Sequence, residues 1–144
     1  MDDFRPKIVS MYLGYIFAPP AAWLVAGTLK FIVNSYWAKQ WAFGQIGLGG
    51  FPSTHASVAA AALAAILTRE GPGHPATAVA VALTLLTAID AADLRRRVGR
   101  HAELLNQIAN PLKPLRERMG HKPHEIIGGL FVGATVGIVC GRVL

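Results

Sequence analysis

Charged side chains are scarce in this chain of 144 residues. They make up 15% of it, whereas a soluble domain averages about 25%. Hydrophobic residues make up 53%, and this excludes intrinsic disorder, which requires low hydrophobicity and high net charge. The single cysteine, Cys140, excludes an intramolecular disulfide framework and a cysteine-based zinc site. The length corresponds to a single domain, 1–144.

Charge is missing altogether from four long stretches, residues 8–29, 51–68, 71–89 and 126–141. A membrane-spanning helix needs about 17–25 mostly apolar residues, and each stretch is close to that length. The sequence therefore predicts an all-α fold: a polytopic transmembrane helical bundle of about four spans, forming one integral membrane domain. The alternative is an alanine-rich soluble bundle, but such a bundle would need polar helix faces that these stretches lack.

The first of these stretches contains Pro19 and Pro20. Because proline removes a backbone hydrogen bond, the pair is predicted to kink the helix or to split it into two half-helices. The stretch is also about as long as a signal peptide, but no small-residue cleavage site follows it, so we expect it to be retained.

Basic residues are abundant, and most of them lie in one loop. The net charge of +6 is typical of a nucleic-acid-binding protein, but the uncharged stretches argue against such a partner. The loop 94–123 carries Arg95, Arg96, Arg97, Arg100, Lys113, Arg116, Arg118 and Lys122. Cytoplasmic loops of membrane proteins are enriched in Lys and Arg, so this loop is predicted to be cytoplasmic. Helical spacing of apolar residues in 101–108 predicts an interfacial helix within it.

One group of polar residues lies at the start of the second uncharged stretch, in residues 51–57 (FPSTHAS). Ser53 or Thr54 can cap the helix that follows, which places His55 in its first turn. The free N–H groups of a helix start bind anions, so this segment is a candidate phosphate site. The alternative is a plain helix cap with an interfacial histidine.

A second group, residues 90–97 (DAADLRRR), closes the third uncharged stretch. Asp90 lies within or at the edge of the membrane, where an acid needs a partner. Arg95 and Arg96 have the bidentate geometry that suits a phosphate. The alternative is an ordinary basic flank beside a cytoplasmic helix end, which we favour for Arg97 and Arg100.

A third group, residues 120–129 (GHKPHEIIGG), opens the fourth stretch. His121 and Glu125 are four residues apart and share a helix face if the helix begins this early. A carboxylate on one imidazole nitrogen fixes the tautomer and makes the other nitrogen more nucleophilic. The alternative role of Glu125 is to stabilise the helix N-terminus. His124 and His101 are the alternative nucleophiles.

Lys30 ends the first apolar segment, where a lone lysine needs a charged partner or ligand unless it extends to the membrane surface. In a four-span topology all of these groups fall on the cytoplasmic side. Two histidines, a carboxylate and several cations at one membrane face indicate a phosphoryl-transfer site.

The strings GGFPSTHAS, DAADLRRRVGRHAELLN and GHKPHEIIGG resemble a divergent branch of the type-2 phosphatidic acid phosphatase superfamily, which is related to acid phosphatases and vanadium-dependent haloperoxidases. Lys30 would match the lysine of the superfamily's first motif, and Pro52, Ser53 and His55 match its second. His121 matches the third motif, with Glu125 where aspartate is usual.

The chain also departs from the superfamily pattern. The arginine normally found seven residues before the third-motif histidine is missing, and Arg95 and Arg96 are expected to replace it. No Arg-Pro pair follows Lys30 at the usual spacing. These departures concern phosphate binding more than the two histidines.

The resemblance implies a role for each group. His121 would attack phosphorus, His55 would protonate the leaving oxygen and later activate water, and Glu125 would orient His121. The expected phosphate-binding residues are Lys30, Ser53, Thr54, Arg95 and Arg96. Asp90, His124 and His101 would support the site. No metal ion and no cofactor is expected.

The expected substrate is a lipid phosphate or prenyl diphosphate, hydrolysed at the cytoplasmic face of a bacterial inner membrane. A non-catalytic lipid-binding or assembly protein is one alternative, and a small transporter component with Lys30 and Asp90 as pathway charges is another. Haloperoxidase activity is a more remote one.

Gly129, Gly133, Gly137 and Gly141 form a smooth stripe on the fourth span, which suits close helix contact. Four short spans enclose little volume, so a homo-oligomer is expected. The alternative is that the stripe packs within the chain.

Overall fold

The computed structural model of the chain describes residues 4–41, 50–109 and 113–144, and side chains from residue 12 onward. These residues form five α-helices and no strand. The helices are α1 (Phe4–Ala38), α2 (Thr54–Glu70), α3 (Pro75–Ile89), α4 (Arg95–Ala109) and α5 (Pro123–Val143). A π-helical turn, Asp90–Leu94, joins α3 directly to α4. The prediction of an all-α bundle is confirmed.

Three helical stretches are long and apolar enough to cross a membrane, namely Tyr12–Ala38, Pro75–Ala109 and Pro123–Val143. The remaining predicted span, the second along the chain, corresponds to α2, whose 17 residues lie at the lower limit of about 17 residues for a spanning helix. α2 packs against α1, α3 and α5, and its buried positions are almost all alanine. The bundle is therefore built around α2.

The prolines of α1 do not divide it into two half-helices. Pro19 and Pro20 lie inside one continuous helix, so of the two predicted outcomes, a kink or a split, the split was wrong. Ala18 and Ala22 flank the prolines and are fully buried in a cluster with Ala61 and Ala65 of α2. In membrane helices, packing against neighbouring helices compensates for the backbone groups that proline leaves free.

The glycine stripe of α5 packs against α2 of the same chain. A Cβ atom on Gly133 would lie 2.1 Å from the carbonyl oxygen of Ser57, and one on Gly129 would lie 2.4 Å from that of Ser53. At Gly137 the corresponding distance to Ala61 is 2.4 Å. The two backbones can approach this closely only because side chains are absent, so the stripe is used within the chain.

The basic loop folds back along α4. That helix begins at Arg95, earlier than the predicted 101–108 segment, and continues from the end of α3. Asn106 fixes the returning chain, because its side-chain amide donates to the carbonyl oxygen of Leu115 at 2.9 Å and accepts from the N–H of Leu115 at 2.8 Å. Gly99 lets the carbonyl oxygen of Glu117 lie against the helix. The return segment, residues 113–122, thus leads back to the start of α5.

Candidate active site

His121 lies at the end of the return segment, where the chain reaches the π-helical turn. Its backbone N–H donates to the carbonyl oxygen of Ala91 at 3.0 Å. The preceding Gly120 has a φ of +82°, which glycine adopts readily. A Cβ there would lie 2.4 Å from Cγ of Arg96. The main chain of His121 is therefore held directly against the π-helical turn, a feature often found at functional sites.

The imidazole of His121 is buried, with 7% of the residue exposed. Among the described residues, neither of its ring nitrogens has a hydrogen-bond partner. Burial lowers the pKa of His121 to about 4; the nearby positive charge of Lys30 and then those of His55 and Arg95 act in the same direction, and Glu125 opposes them. The ring is consequently neutral at pH 7, and a neutral imidazole has the lone pair that a nucleophile requires.

Arg95 contacts both Asp90, at the end of the third uncharged stretch, and His55, in the second. Its Nε lies 2.5 Å from Oδ2 of Asp90, and its Nη1 lies 3.4 Å from Nε2 of His55. His55 is exposed in the first turn of α2, as its sequence position predicts. Asp90 therefore has the charged partner that its location demands, and that partner also contacts His55.

Ser53 has a structural role in this arrangement. It is fully buried, and its Oγ accepts from the N–H of Ala56 at 3.4 Å as the N-cap of α2. Its own N–H donates to the carbonyl oxygen of Glu125 at 2.8 Å. The Ser53 hydroxyl thus points away from solvent, while Thr54, the first residue of α2, is half-buried.

Glu125 also acts at a helix start. α5 begins at Pro123, after His121, so the condition for His121 and Glu125 to share a helix face is not met. Its Oε2 accepts from the backbone N–H of Lys122 at 2.9 Å, the bond that the capping alternative requires. The carboxylate therefore influences the imidazole through its charge, without a hydrogen bond to the ring.

A cavity of about 690 Å³ opens beside His121, within the range of about 300–1,000 Å³ typical of small-molecule sites. Its wall on α1 is formed by Val33, Asn34, Trp37 and Ala38. The rest of the lining is formed by Gly50, Phe51, Arg96, Arg118, Met119, Gly120, His121, Lys122, His124 and Glu125. The lining thus combines residues of α1 with three cations, two histidines and one carboxylate.

Of the remaining candidates, the structure brings two to the site. Lys30 is half-buried on α1, and its charge acts on His121. His124 is exposed in the first turn of α5 and lines the cavity. His101 is exposed on α4 and lies outside the cavity wall. Within the described part of the chain, no three His, Cys, Asp or Glu residues are grouped to hold a metal ion.

Three features of the site were not predicted from the sequence. The π-helical turn, the Asn106 contacts and the contribution of Arg118 and Lys122 to the cavity all depend on how the loop returns. The only sequence signal was that Arg118 and Lys122 flank His121 closely in the chain.

Residues 14–136 match the family described as the "Divergent PAP2 family". The chain belongs to this family. The match covers Lys30, His55, Arg95, His121 and Glu125, so the residues that the fold assembles are part of the divergent PAP2 region.

The divergent PAP2 chain is also 26% identical over 115 residues to a Bacillus subtilis (strain 168) protein named "Uncharacterized membrane protein YuiD". The alignment covers 67% of this chain and 70% of that relative. No solved structure matches the chain.

Proposed function

We propose that this divergent PAP2 protein is a membrane-embedded phosphatase that releases phosphate from a lipid phosphate or diphosphate through a phosphohistidine on His121. The observation that carries the proposal is the state of the His121 ring. It is buried and neutral, its nitrogens have no hydrogen-bond partner in the described structure, and Lys30, His55 and Arg95 act on it. Buried polar atoms without partners are rare and call for a functional explanation.

The proposed reaction has two steps. In the first, a lone pair of His121 attacks the terminal phosphorus, the bond from that phosphorus to the ester or anhydride oxygen breaks, and His55 gives that oxygen a proton. In the second, a water attacks the phosphohistidine, His55 takes its proton, and free phosphate and neutral His121 are released. Lys30 and Arg95 would stabilise the charge that develops on the phosphoryl oxygens. A phosphate beside Arg95 would also bring the negative charge that favours protonated His55.

The location of the two histidines relative to the membrane supports a lipid substrate. His121 precedes α5 and His55 begins α2, so both lie at helix ends that can coincide with a membrane surface. There the headgroup can reach the basic return segment while the tail remains among apolar helices. The excess of basic residues in loop 94–123 supports a cytoplasmic orientation, and we place the protein in a bacterial cytoplasmic membrane.

The test is release of inorganic phosphate by detergent-purified protein in the presence of chelator. The substrates are prenyl diphosphates, phosphatidic acid and phosphatidylglycerophosphate. H55A should reduce turnover by at least about 100-fold, because general acid-base groups contribute about 10²–10⁴. H121A should reduce turnover at least as much, because it removes the proposed nucleophile. H74N is the matched control, because His74 caps α3 at 3.2 Å and asparagine is also a good N-cap.

Trapping the phosphorylated protein identifies the histidine that acts as the nucleophile. Denaturing the protein during turnover of a substrate labelled in its terminal phosphate should leave acid-labile label on wild type and none on H121A. Label that persists on H121A and disappears on H124A would transfer the nucleophile role to His124.

A non-catalytic lipid-binding protein is the second candidate, and a specific observation favours it. Ser53 and Glu125, two residues of the phosphatase motifs, are engaged in helix caps. Folded wild-type protein that binds these lipids and releases no phosphate would support this candidate over the enzyme.

A further inference from the structure

A second group of cations lies beside His121 and has no part in the reaction described above. Arg96, Arg118 and Lys122 all line the cavity, and all three are exposed to solvent. The residues of α1 in the lining include Val33 and Trp37. The cavity thus offers three positive charges and apolar surface, with Glu125 as the carboxylate of its lining.

The two consecutive arginines have different surroundings. Arg95 contacts Asp90 and His55, whereas Arg96 packs against the backbone of Gly120 and lines the cavity. Arginines adjacent on a helix point about 100° apart, so Arg95 reaches Asp90 and His55 while Arg96 reaches the cavity. The buried ring of His121, whose nitrogens have no partner in the described structure, borders this cavity as well.

We propose that this cavity binds a second phosphate, carried by the leaving group of the substrate, and that Arg118 and Lys122 select for it. The inference rests on the proposed function. When His121 takes the terminal phosphoryl group, the bond to the leaving oxygen breaks and that oxygen receives a proton from His55. The departing molecule then keeps its own phosphate against Arg118 and Lys122, and its lipid portion can follow the apolar α1 wall.

Two lipid chemistries carry such a phosphate. In a lipid diphosphate, the second phosphate is joined to the first by an anhydride. In a glycerophosphate headgroup, it is a diester farther away. The shared feature is a second anionic phosphate on the leaving group, and the cavity volume of about 690 Å³ is large enough for either headgroup.

The experiment compares two substrate pairs on wild type and on the double variant R118Q/K122Q. The first pair is a prenyl monophosphate and the diphosphate of the same prenyl alcohol. The second is phosphatidic acid and phosphatidylglycerophosphate. Wild type should prefer one two-phosphate lipid by about tenfold or more in kcat/KM, since charged hydrogen bonds to phosphate are strong. The double variant should lose about tenfold of that preference, measured as the ratio of kcat/KM between the two lipids of the preferred pair.

R97Q is the matched control. Arg97 is equally basic and exposed, but its Nε lies 2.8 Å from Oδ1 of Asp93 and it is not part of the cavity wall. It should leave the preference unchanged. The pair in which wild type shows its preference identifies the source, as an anhydride or as a diester headgroup. A preference that is absent in wild type, or unchanged in R118Q/K122Q, would overturn the inference while leaving the phosphatase proposal intact.

A binding measurement separates the two proposals. Affinities of prenyl diphosphate and phosphatidylglycerophosphate are measured on H121Q and on H121Q/R118Q/K122Q in detergent with chelator. The inference predicts binding about tenfold weaker in the triple variant for the preferred lipid, whether or not wild type turns it over. Weakened binding without any turnover would retain the subsite and reject the enzyme. Equal binding of both lipids by the two variants would reject the subsite.

Discussion

Replacing Gly133 by alanine tests how closely α2 and α5 must pack to form the site. The added Cβ would lie 2.1 Å from the carbonyl oxygen of Ser57 and 2.7 Å from its Cα and carbonyl carbon. Ordinary carbon contacts are about 3.5–4.0 Å, and a backbone cannot rotate aside, so the helices must separate by about 1 Å or more. Overpacking of this kind costs about 1–3 kcal/mol and occasionally more, and we expect G133A at or above the upper end.

The assay is thermal unfolding in detergent, followed by circular dichroism and by phosphate release. For a domain of this size, about 3 kcal/mol corresponds to a fall in Tm of about 6–12 °C. Activity should also fall at temperatures where G133A is folded, because α2 carries His55 and α5 follows His121, so separating these helices moves the two histidines apart.

A graded series of glycine variants makes the result interpretable. At Gly141 the nearest atoms would lie 3.3–3.4 Å from the new Cβ, and at Gly27 there is nothing within 4 Å. G141A should therefore be mildly affected. G27A should be neutral or stabilised by up to about 1 kcal/mol, the difference in helix propensity. If G133A unfolded at the same temperature as G27A, the close contact between α2 and α5 would be refuted.

Three further outcomes are expected. The pKa of His121 is lowered to about 4 from about 6.5 in the unfolded chain. Its neutral form therefore stabilises the fold above pH 6.5, and this contribution is lost as pH falls towards 4. In unfolding measured from pH 7 to 4, H121Q should consequently be destabilised less by acid than wild type. R95Q should lower kcat/KM by about 100-fold or more. D90N should lower it by a smaller factor, because Asp90 acts only through Arg95. The double variant should lose no more kcat/KM than R95Q alone, and additive losses would contradict a shared role. N106A removes both bonds to Leu115, worth about 1 kcal/mol each, and should increase hydrogen exchange in residues 113–120 with little change in Tm; unchanged exchange there would show that Asn106 does not hold the return segment.

The bundle could be predicted from the sequence because uncharged, mostly apolar stretches of about 17–25 residues are typical of membrane-spanning helices. The position of His55 could be predicted too, since Ser53 is a good N-cap residue and the cap fixes the helix start. α1 shows the limit of such rules. The proline effect was treated as local, whereas the packing of Ala18 and Ala22 against α2 keeps the helix continuous.

The finer site geometry depends on events that composition does not reveal. The π-helical turn brings the Ala91 carbonyl to His121, and a change from four-residue to five-residue hydrogen bonding leaves no residue signature. A helix face shared by His121 and Glu125 requires α5 to begin before Pro123, and the sequence leaves that start open. Arg118 enters the cavity only because Asn106 turns the loop back along α4.

The two histidines are supported by parts of the molecule with different resistance to opening. His55 lies in the first turn of α2, which is enclosed by alanine and glycine contacts. His121 ends the return segment, whose residues 113–118 are exposed and which the hydrogen bonds of Asn106 hold to α4. Segments with few buried contacts open at lower free energy than the core. On warming, His121 should therefore leave its position beside the π-helical turn reversibly before the helices separate. Under the proposed function, phosphate release would then be lost at a temperature below that of unfolding.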